Sequence, residues 1–271
     1  MMKDKKNAYT LGYSDPLLAL LNRRNVDNSA GFVKAYLKPD ASILDCGCGP
    51  GSITAGFALM VPNGSVIGVD VESMQFSEAK ALANKLSLKN VSYQEADICQ
   101  LPFADNTFDV VYANATLSHI PSFKKAIEEM IRVTKVNGVV AVRDIDLDSL
   151  ILHSSSDEVY IAYLIRNKIL LNSHVNIYIG KSLKSLLYQS GCSSVIATTT
   201  LDTYGHADAI KEIGRYLSGE IHQFTVKHDL LNKNLLTEQE VSLYERAWLY
   251  FSQDPEAFLS SIWVEAVGIK N

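Results

Sequence analysis

The chain has 271 residues, of which 47% are hydrophobic and 20% charged, enough apolar material for the core of one large domain and a composition that excludes general disorder. Its formal net charge of -5 argues against broad electrostatic binding of a nucleic-acid backbone and favours a small or neutral partner. The charged start Met1-Met2-Lys3-Asp4-Lys5-Lys6 has no signal-peptide stretch behind it, and no run approaches the roughly 20 apolar residues of a membrane span, so a cytoplasmic location is expected.

The first 38 residues read as a helical lid: Tyr9 and Tyr13 precede a predicted helix from Pro16 to Asn22. From Ser42 onward, apolar strand-like runs alternate with helix-period segments, the signature of a parallel sheet covered by helices on both faces. Strand one is Ser42 to Cys46, followed by a helix from about Ser52 to Met60 and a turn at Pro62-Asn63-Gly64. Strand two is Ser65 to Val69. The next helix carries Ala79, Leu82, Ala83 and Leu86 at offsets that place them on one buried face. Strand three is Val91 to Glu95, and the turn-rich stretch from Gln100 to Thr107 leads into strand four at Phe108 to Tyr112.

A helix opened by Pro121-Ser122 repeats Phe123, Ala126, Ile127, Met130 and Ile131 at helical spacing, and Asn137-Gly138 is expected to stop it. Strand five follows at Val139 to Val142, with Asp144 at its end. The rhythm then changes. Helical segments are predicted from Asp157 to Leu171 and from Lys181 to Gln189, a strand from Ser194 to Thr200, a mostly helical stretch from Tyr204 to Phe251, and a last strand-like run from Ala257 to Ile269. No repeat or low-complexity linker divides the chain, so residues 1–271 form a single domain, with residues 147–190 and 204–256 as helical additions.

The turn after strand one, Asp45-Cys46-Gly47-Cys48-Gly49-Pro50-Gly51, is rich in glycine, which lets backbone approach a ligand closely. Its G-x-G-x-G spacing departs from the G-x-G-x-x-G of dinucleotide binding, and Asp45 two positions ahead suits a cation better than a pyrophosphate. Asp70 closes strand two, where a carboxylate can accept hydrogen bonds from ribose hydroxyls, a feature shared with NAD-binding proteins. Asp97 closes strand three; it is either an acceptor for an adenine amino group, with Ile98 packing on the ring, or a turn residue. Cys46, Cys48, Cys99 and Cys192 are too few and too uneven for a disulfide framework, and no second ligand pair suggests zinc. His222 and His228 stand at the wrong spacing for one helix face, so no metal is expected there either.

The segments Ile43-Leu44-Asp45-Cys46-Gly47-Cys48-Gly49-Pro50-Gly51, Val66-Ile67-Gly68-Val69-Asp70, Ala96-Asp97-Ile98, Leu101-Pro102-Phe103 and Phe108-Asp109-Val110-Val111 together resemble the class I S-adenosylmethionine-dependent methyltransferases. Within them the pattern is most similar to the small-molecule branch of ubiquinone and menaquinone C-methyltransferases and natural-product O-methyltransferases. The resemblance covers Ser42 to Asp144. It implies an α/β, Rossmann-like doubly wound sheet of seven strands with the last antiparallel, and S-adenosyl-L-methionine lying over the carboxyl ends of the strands. Asp45, Gly47 and Gly49 would line the methionine end, Asp70 and Val71 the ribose, Asp97 and Ile98 the adenine, and Asn114 the sulfonium.

Methyl transfer asks mainly for alignment and exclusion of water, and a base helps where a hydroxyl or carbon acceptor loses a proton. His119, just past strand four, is the first candidate, since an unperturbed imidazole titrates at about 6.5; a capping role is the alternative. Asp144 would orient His119 or act as the base itself, unless it only pairs with Arg143, and Asp146 is the reserve. Tyr13 would contact the cofactor carboxylate or the acceptor. The aromatic and histidine residues of the late helical stretch, Tyr204, His206, Tyr216, His222, Phe224, His228, Tyr244, Trp248, Tyr250 and Phe251, would either wall an apolar acceptor pocket or pack the helices together. The expected partner is a small-molecule methyl acceptor, with no nucleic acid, and the N-terminal arm either closes its own site or exchanges with a second copy in a homodimer. The competing reading keeps fold and cofactor and replaces transfer by a cyclase-like or regulatory role.

Overall fold

The computed structural model describes residues 23–271. Within them, seven strands form one sheet in the order β3-β2-β1-β4-β5-β7-β6: β1 Ser42–Cys46, β2 Ser65–Asp70, β3 Val91–Glu95, β4 Phe108–Asn114, β5 Thr134–His153, β6 Cys192–Tyr204 and β7 Phe258–Lys270. The first five pair in parallel, and β7 runs antiparallel to both β5 and β6. The chain order reverses between β1 and β4, which leaves a crevice at their carboxyl ends where ligands of doubly wound sheets bind.

The central strands are buried on both faces because consecutive residues point to opposite sides. Ile43 packs with Phe57, Val66 and Tyr112 on one side, while Leu44 packs with Val111, Ile127 and Met130 on the other. Three helices cover these faces: α1 Ser52–Met60, α2 Phe76–Lys85 and α3 Phe123–Val133. α1 begins after Gly51, whose φ of 79° turns the chain from strand into helix. A second core is built away from the parallel strands by α4 Asp157–Asn172, α6 Ala207–His228 and α7 Glu238–Phe251 around Tyr244, Trp248 and Phe251, while α5 Ile179–Gln189 packs Leu183 and Leu187 against the sheet core. The start of α7 is secured by a reciprocal capping box between Thr237 and Glu240.

The expected seven-stranded architecture with an antiparallel last strand is observed, and three local expectations are corrected. β5 does not end at Asp144: β4 stops pairing at Asn114↔Arg143, but β7 keeps hydrogen bonding through Asp146 and resumes at Ile151, so the strand continues to His153. Nor does Asn137-Gly138 stop α3. The helix ends at Val133, and Thr134 already pairs with Phe108. Leu86 lies beyond α2 and is 41% exposed, because the helix unwinds at Lys85 and Ser87 takes a φ of 57°, whereas Ala79 and Ala83 are buried as expected. No helix among the described residues is long and apolar enough to cross a membrane.

Residues 23–38 are tied to the sheet by a helical turn at Val26–Ser29, capped by the Asn25 side chain, and by the buried Tyr112 hydroxyl, which donates to the Ser29 carbonyl at 2.5 Å. Tyr112→Phe removes this bond and leaves a buried acceptor unpaired, which should lower stability by about 1–2 kcal/mol in urea denaturation.

Candidate functional site

The β1–α1 turn is shaped by positive φ values at Gly47, Gly49 and Gly51. A side chain at Gly47 is excluded: its Cβ would stand 2.2 Å from Thr116 Oγ1, in the loop after β4. The amides of Gly47 and Cys48 donate to the Val69 carbonyl of β2, and that of Gly49 donates to Asp70 Oδ2 at 3.0 Å. The turn is therefore locked to the ends of both neighbouring strands. It borders an open cleft of about 990 Å³ at the chain reversal.

Of the residues expected at a cofactor, Asp45, Gly47, Gly49, Asp70, Val71, Asp97, Ile98 and Asn114 all line this cleft. Asp45 is buried and accepts from Thr54 Oγ1 at 2.6 Å. Burial pushes its carboxyl up to about 7, with the Thr54 bond pulling it back and the charge of Asp70 adding to the rise. Asp70 is also raised, chiefly by burial, although the amides of Glu72 and Gly49 favour its charged form. Asp97 is at once a wall residue and a turn residue, since its Oδ1 accepts from the Cys99 amide at 2.8 Å. The Cys46 and Cys48 thiols are held well up by burial, as expected of packing groups. Tyr13 and the helix expected at Pro16–Asn22 lie outside the described residues.

Asn114 ends β4 and its side chain is oriented from below. Arg143 of β5 donates from Nη1 to Asn114 Oδ1 at 3.2 Å and from Nε to Glu265 Oε1 at 3.2 Å, and lies over the Trp263 ring at 4.1 Å. With its oxygen engaged, the amide nitrogen is the group Asn114 has left to offer the cleft. Arg143 thus pairs with Glu265, not with Asp144.

His119 stands in a short 3₁₀ turn, Leu117–His119, just past β4. This turn is held by Asp144, which is buried: its Oδ2 accepts from the Ser118 amide at 3.1 Å and its Oδ1 from the Ile145 amide at 3.0 Å. Burial raises the Asp144 carboxyl, and the bonds from Ser118 partly restore the charged form. Asp144 borders neither cleft. Asp146 is also committed elsewhere, accepting the Lys181 amide at the start of α5 at 3.1 Å.

A second open chamber, about 1550 Å³, lies between β5, β6, β7 and helices α4, α6 and α7. Its walls include Leu147, Leu150, Leu217 and Leu259 together with Tyr204, Tyr216, Trp248 and Trp263. Three of the late-stretch aromatics expected at a pocket are therefore present. Phe224, Tyr244 and Phe251 are instead buried core residues. The two spaces share Arg24, Ala115 and His119. Arg24 carried no sequence signal beyond being one of two consecutive arginines. Among the described residues it is the only Lys or Arg bordering the first cleft, and it lies over Trp263 at 5.2 Å.

Residues 37–202, more than half of the chain, match the family model described as a methyltransferase domain. The chain belongs to this methyltransferase family. It is 37% identical over 147 residues to the "Probable methyltransferase ltbC" of Aspergillus luteorubrus, covering 51% of this chain and 52% of that protein. It is 31% identical over 129 residues to the demethylmenaquinone methyltransferase of Bacillus cereus, covering 47% of this chain and 54% of that one. The chain thus spans about half the length of these curated relatives. In architecture it resembles the YcgJ protein of Bacillus subtilis, with a TM-score of 0.59 at 19% identity over 89% of this chain and 97% of that one, a likeness of fold.

Burial of Asp45 makes the stability of the fold depend on pH. Between its ordinary value near 3.8 and about 7, the folded chain holds a proton that the unfolded chain has lost, so its contribution to stability is complete below this window and is lost as pH rises through it. Asp45→Asn should flatten the decline in stability between pH 4 and 7, read by urea denaturation across that range.

Proposed function

We propose that this chain transfers a methyl group from S-adenosyl-L-methionine to a small, largely apolar organic molecule, at oxygen or carbon, across the boundary where the two clefts meet. The observation that carries the reading is that junction: a cleft bordered by carboxylates at the strand ends adjoins a chamber walled in part by leucines and aromatic rings, and His119 belongs to both.

The first cleft suits the cofactor in three respects. The Gly47 turn admits no Cβ, so backbone can approach a ligand closely. Asp70 and Asp97 are acceptors for ribose hydroxyls and an adenine amine, with Val71 and Ile98 as apolar neighbours. Asp45, raised toward neutrality by burial, is stabilised in its charged form by an ammonium group, and Arg24 is the matching cation for a carboxylate. When bound, the cofactor supplies an electrophilic methyl group on a positively charged sulfur.

The remaining work falls to the chain's own residues. Asn114, oriented by Arg143, positions the methionine end, and the chamber walls exclude water and align the acceptor. His119 takes the proton that a hydroxyl or acidic carbon releases as it is methylated. Asp144 acts through the backbone, fixing the Leu117–His119 turn, so its role is positioning. A charged carboxylate is not required for contact with the acceptor.

Methyl-labelled cofactor incubated with a cell extract and the protein, followed by mass identification of the labelled product, tests the reading directly. Tight binding of the cofactor with no demethylated product in any extract would move the assignment to a cyclase-like or regulatory role. With the product in hand, His119→Ala should lower kcat by about 10²–10⁴ and leave cofactor affinity within roughly twofold. Arg24→Met should weaken binding of S-adenosylhomocysteine by about tenfold or more, the cost of one charge-assisted contact, as read by calorimetry.

A further inference from the structure

In the methyl-transfer reading Arg24 meets the carboxylate of the cofactor, yet nothing in its own stretch of chain directs it there. It stands half-buried in irregular backbone, just ahead of the helical turn Val26–Ser29. Among the described residues its side chain has no hydrogen bond and no ion pair, whereas its neighbour Arg23 pairs with Glu212 at 3.0 Å in solvent. An arginine left to itself samples many rotamers, and a ligand that needs one of them bears the cost of selecting it. What holds the Arg24 guanidinium is the ring of Trp263, over which it lies at 5.2 Å from the centroid.

That ring is a fixed surface. Trp263 lies in β7, paired with Ile145 of β5 on one side and Thr200 of β6 on the other, and is 5% exposed. Alternation places it on the same face of the sheet as Glu265, two residues on, and Arg143 also lies over it, at 4.1 Å. Arg143 is tied independently, donating to Glu265 and Asn114 at 3.2 Å each and to Thr200 at 3.3 Å, so it does not depend on the ring. Arg24 does. The indole Nε1 of Trp263 is buried without an acceptor among the described residues, a penalty that phenylalanine or leucine would not carry here. The gain that offsets it is the ring face, since indole attracts a cation more strongly than the other aromatic side chains. Trp263 borders the second chamber and Arg24 borders both spaces, so the contact stands at their junction. Resting on the methyl-transfer reading, we infer that Trp263 is a positioning residue: its ring holds the Arg24 guanidinium where the carboxylate of the cofactor's methionine end arrives.

Calorimetry on the full chain tests this with two ligands that differ only in the carboxylate: S-adenosylhomocysteine and its decarboxylated analogue, in which an aminopropyl group replaces the aminocarboxypropyl group. Failure of the unaltered chain to bind S-adenosylhomocysteine counts against the methyl-transfer reading, whereas the comparison of variants bears on Trp263. Trp263→Leu is expected to weaken S-adenosylhomocysteine by about fivefold, the worth of one cation–π contact, and to leave the analogue within roughly twofold. Trp263→Phe keeps an aromatic face and should recover most of that loss. With Arg24→Met already in place, Trp263→Leu should weaken S-adenosylhomocysteine by less than about twofold, because the group it holds is gone. Equal loss for the two ligands, no loss for either, a phenylalanine variant as weak as the leucine one, or additive losses in the double variant overturns the inference; additive losses would point to a path through Arg143. Should Trp263→Leu fail to fold, the tryptophan emission of the unaltered chain decides. It should change more on saturation with S-adenosylhomocysteine than with the analogue, since a carboxylate on Arg24 alters the field at the indole, and the difference should vanish in Arg24→Met. Equal changes from the two ligands, or a difference that survives in Arg24→Met, overturn the inference.

Discussion

A side chain at position 47 would occupy the space of the Thr116 hydroxyl, and this close approach of two loops underlies the rest of the site. Thr116 Oγ1 lies 3.3 Å from the Cys46 carbonyl and 3.0 Å from that of Asn114, so it bridges the ends of β1 and β4 where the chain order reverses. A Cβ would force those strand ends apart. With them together, the glycine turn lies along one side of the crevice, Asn114 along the other, and the Leu117–His119 turn follows at the junction with the second chamber.

The same region concentrates charge where water is scarce. Asp45 and Asp70 are both raised by burial, so their ionised forms are costly until a cation or a set of donors arrives. A site of this kind binds a positively charged ligand more strongly than exposed carboxylates would, because the ligand relieves a penalty already present in the fold. On the same face of the sheet as Asp45, Arg143 joins four strands: Asn114 of β4, its own β5, Thr200 of β6 and Glu265 of β7. Through Trp263, which it overlies, the arginine connects the orientation of Asn114 to a wall of the second chamber.

The helical additions build a core of their own beside that of the sheet. The family match, residues 37–202, takes in β1 to β5 and α1 to α5, while α6, α7 and β7 lie beyond it.

Much of the fold was legible in the sequence because its strands are buried on both faces and read as continuous apolar runs, and because Gly47, Gly49 and Asp70 fall at positions where a turn and a strand end must occur. β1 and β3 have the bounds expected from pattern alone. The late aromatics were recognised as a group, but nothing in their spacing separated Tyr204 and Tyr216 on the chamber wall from Tyr244 and Phe251 in the core, since helical periodicity marks a buried face without saying what covers it. Tertiary structure alone decided the length of β5, which depends on a partner strand more than a hundred residues away, the assignment of Asp144 to the support of a turn, and the place of Arg24 where the two spaces meet. Their roles arise from contacts between segments distant in the chain. Local sequence determines which backbone conformations are accessible, while the surroundings of a charge are set only when the chain closes on itself.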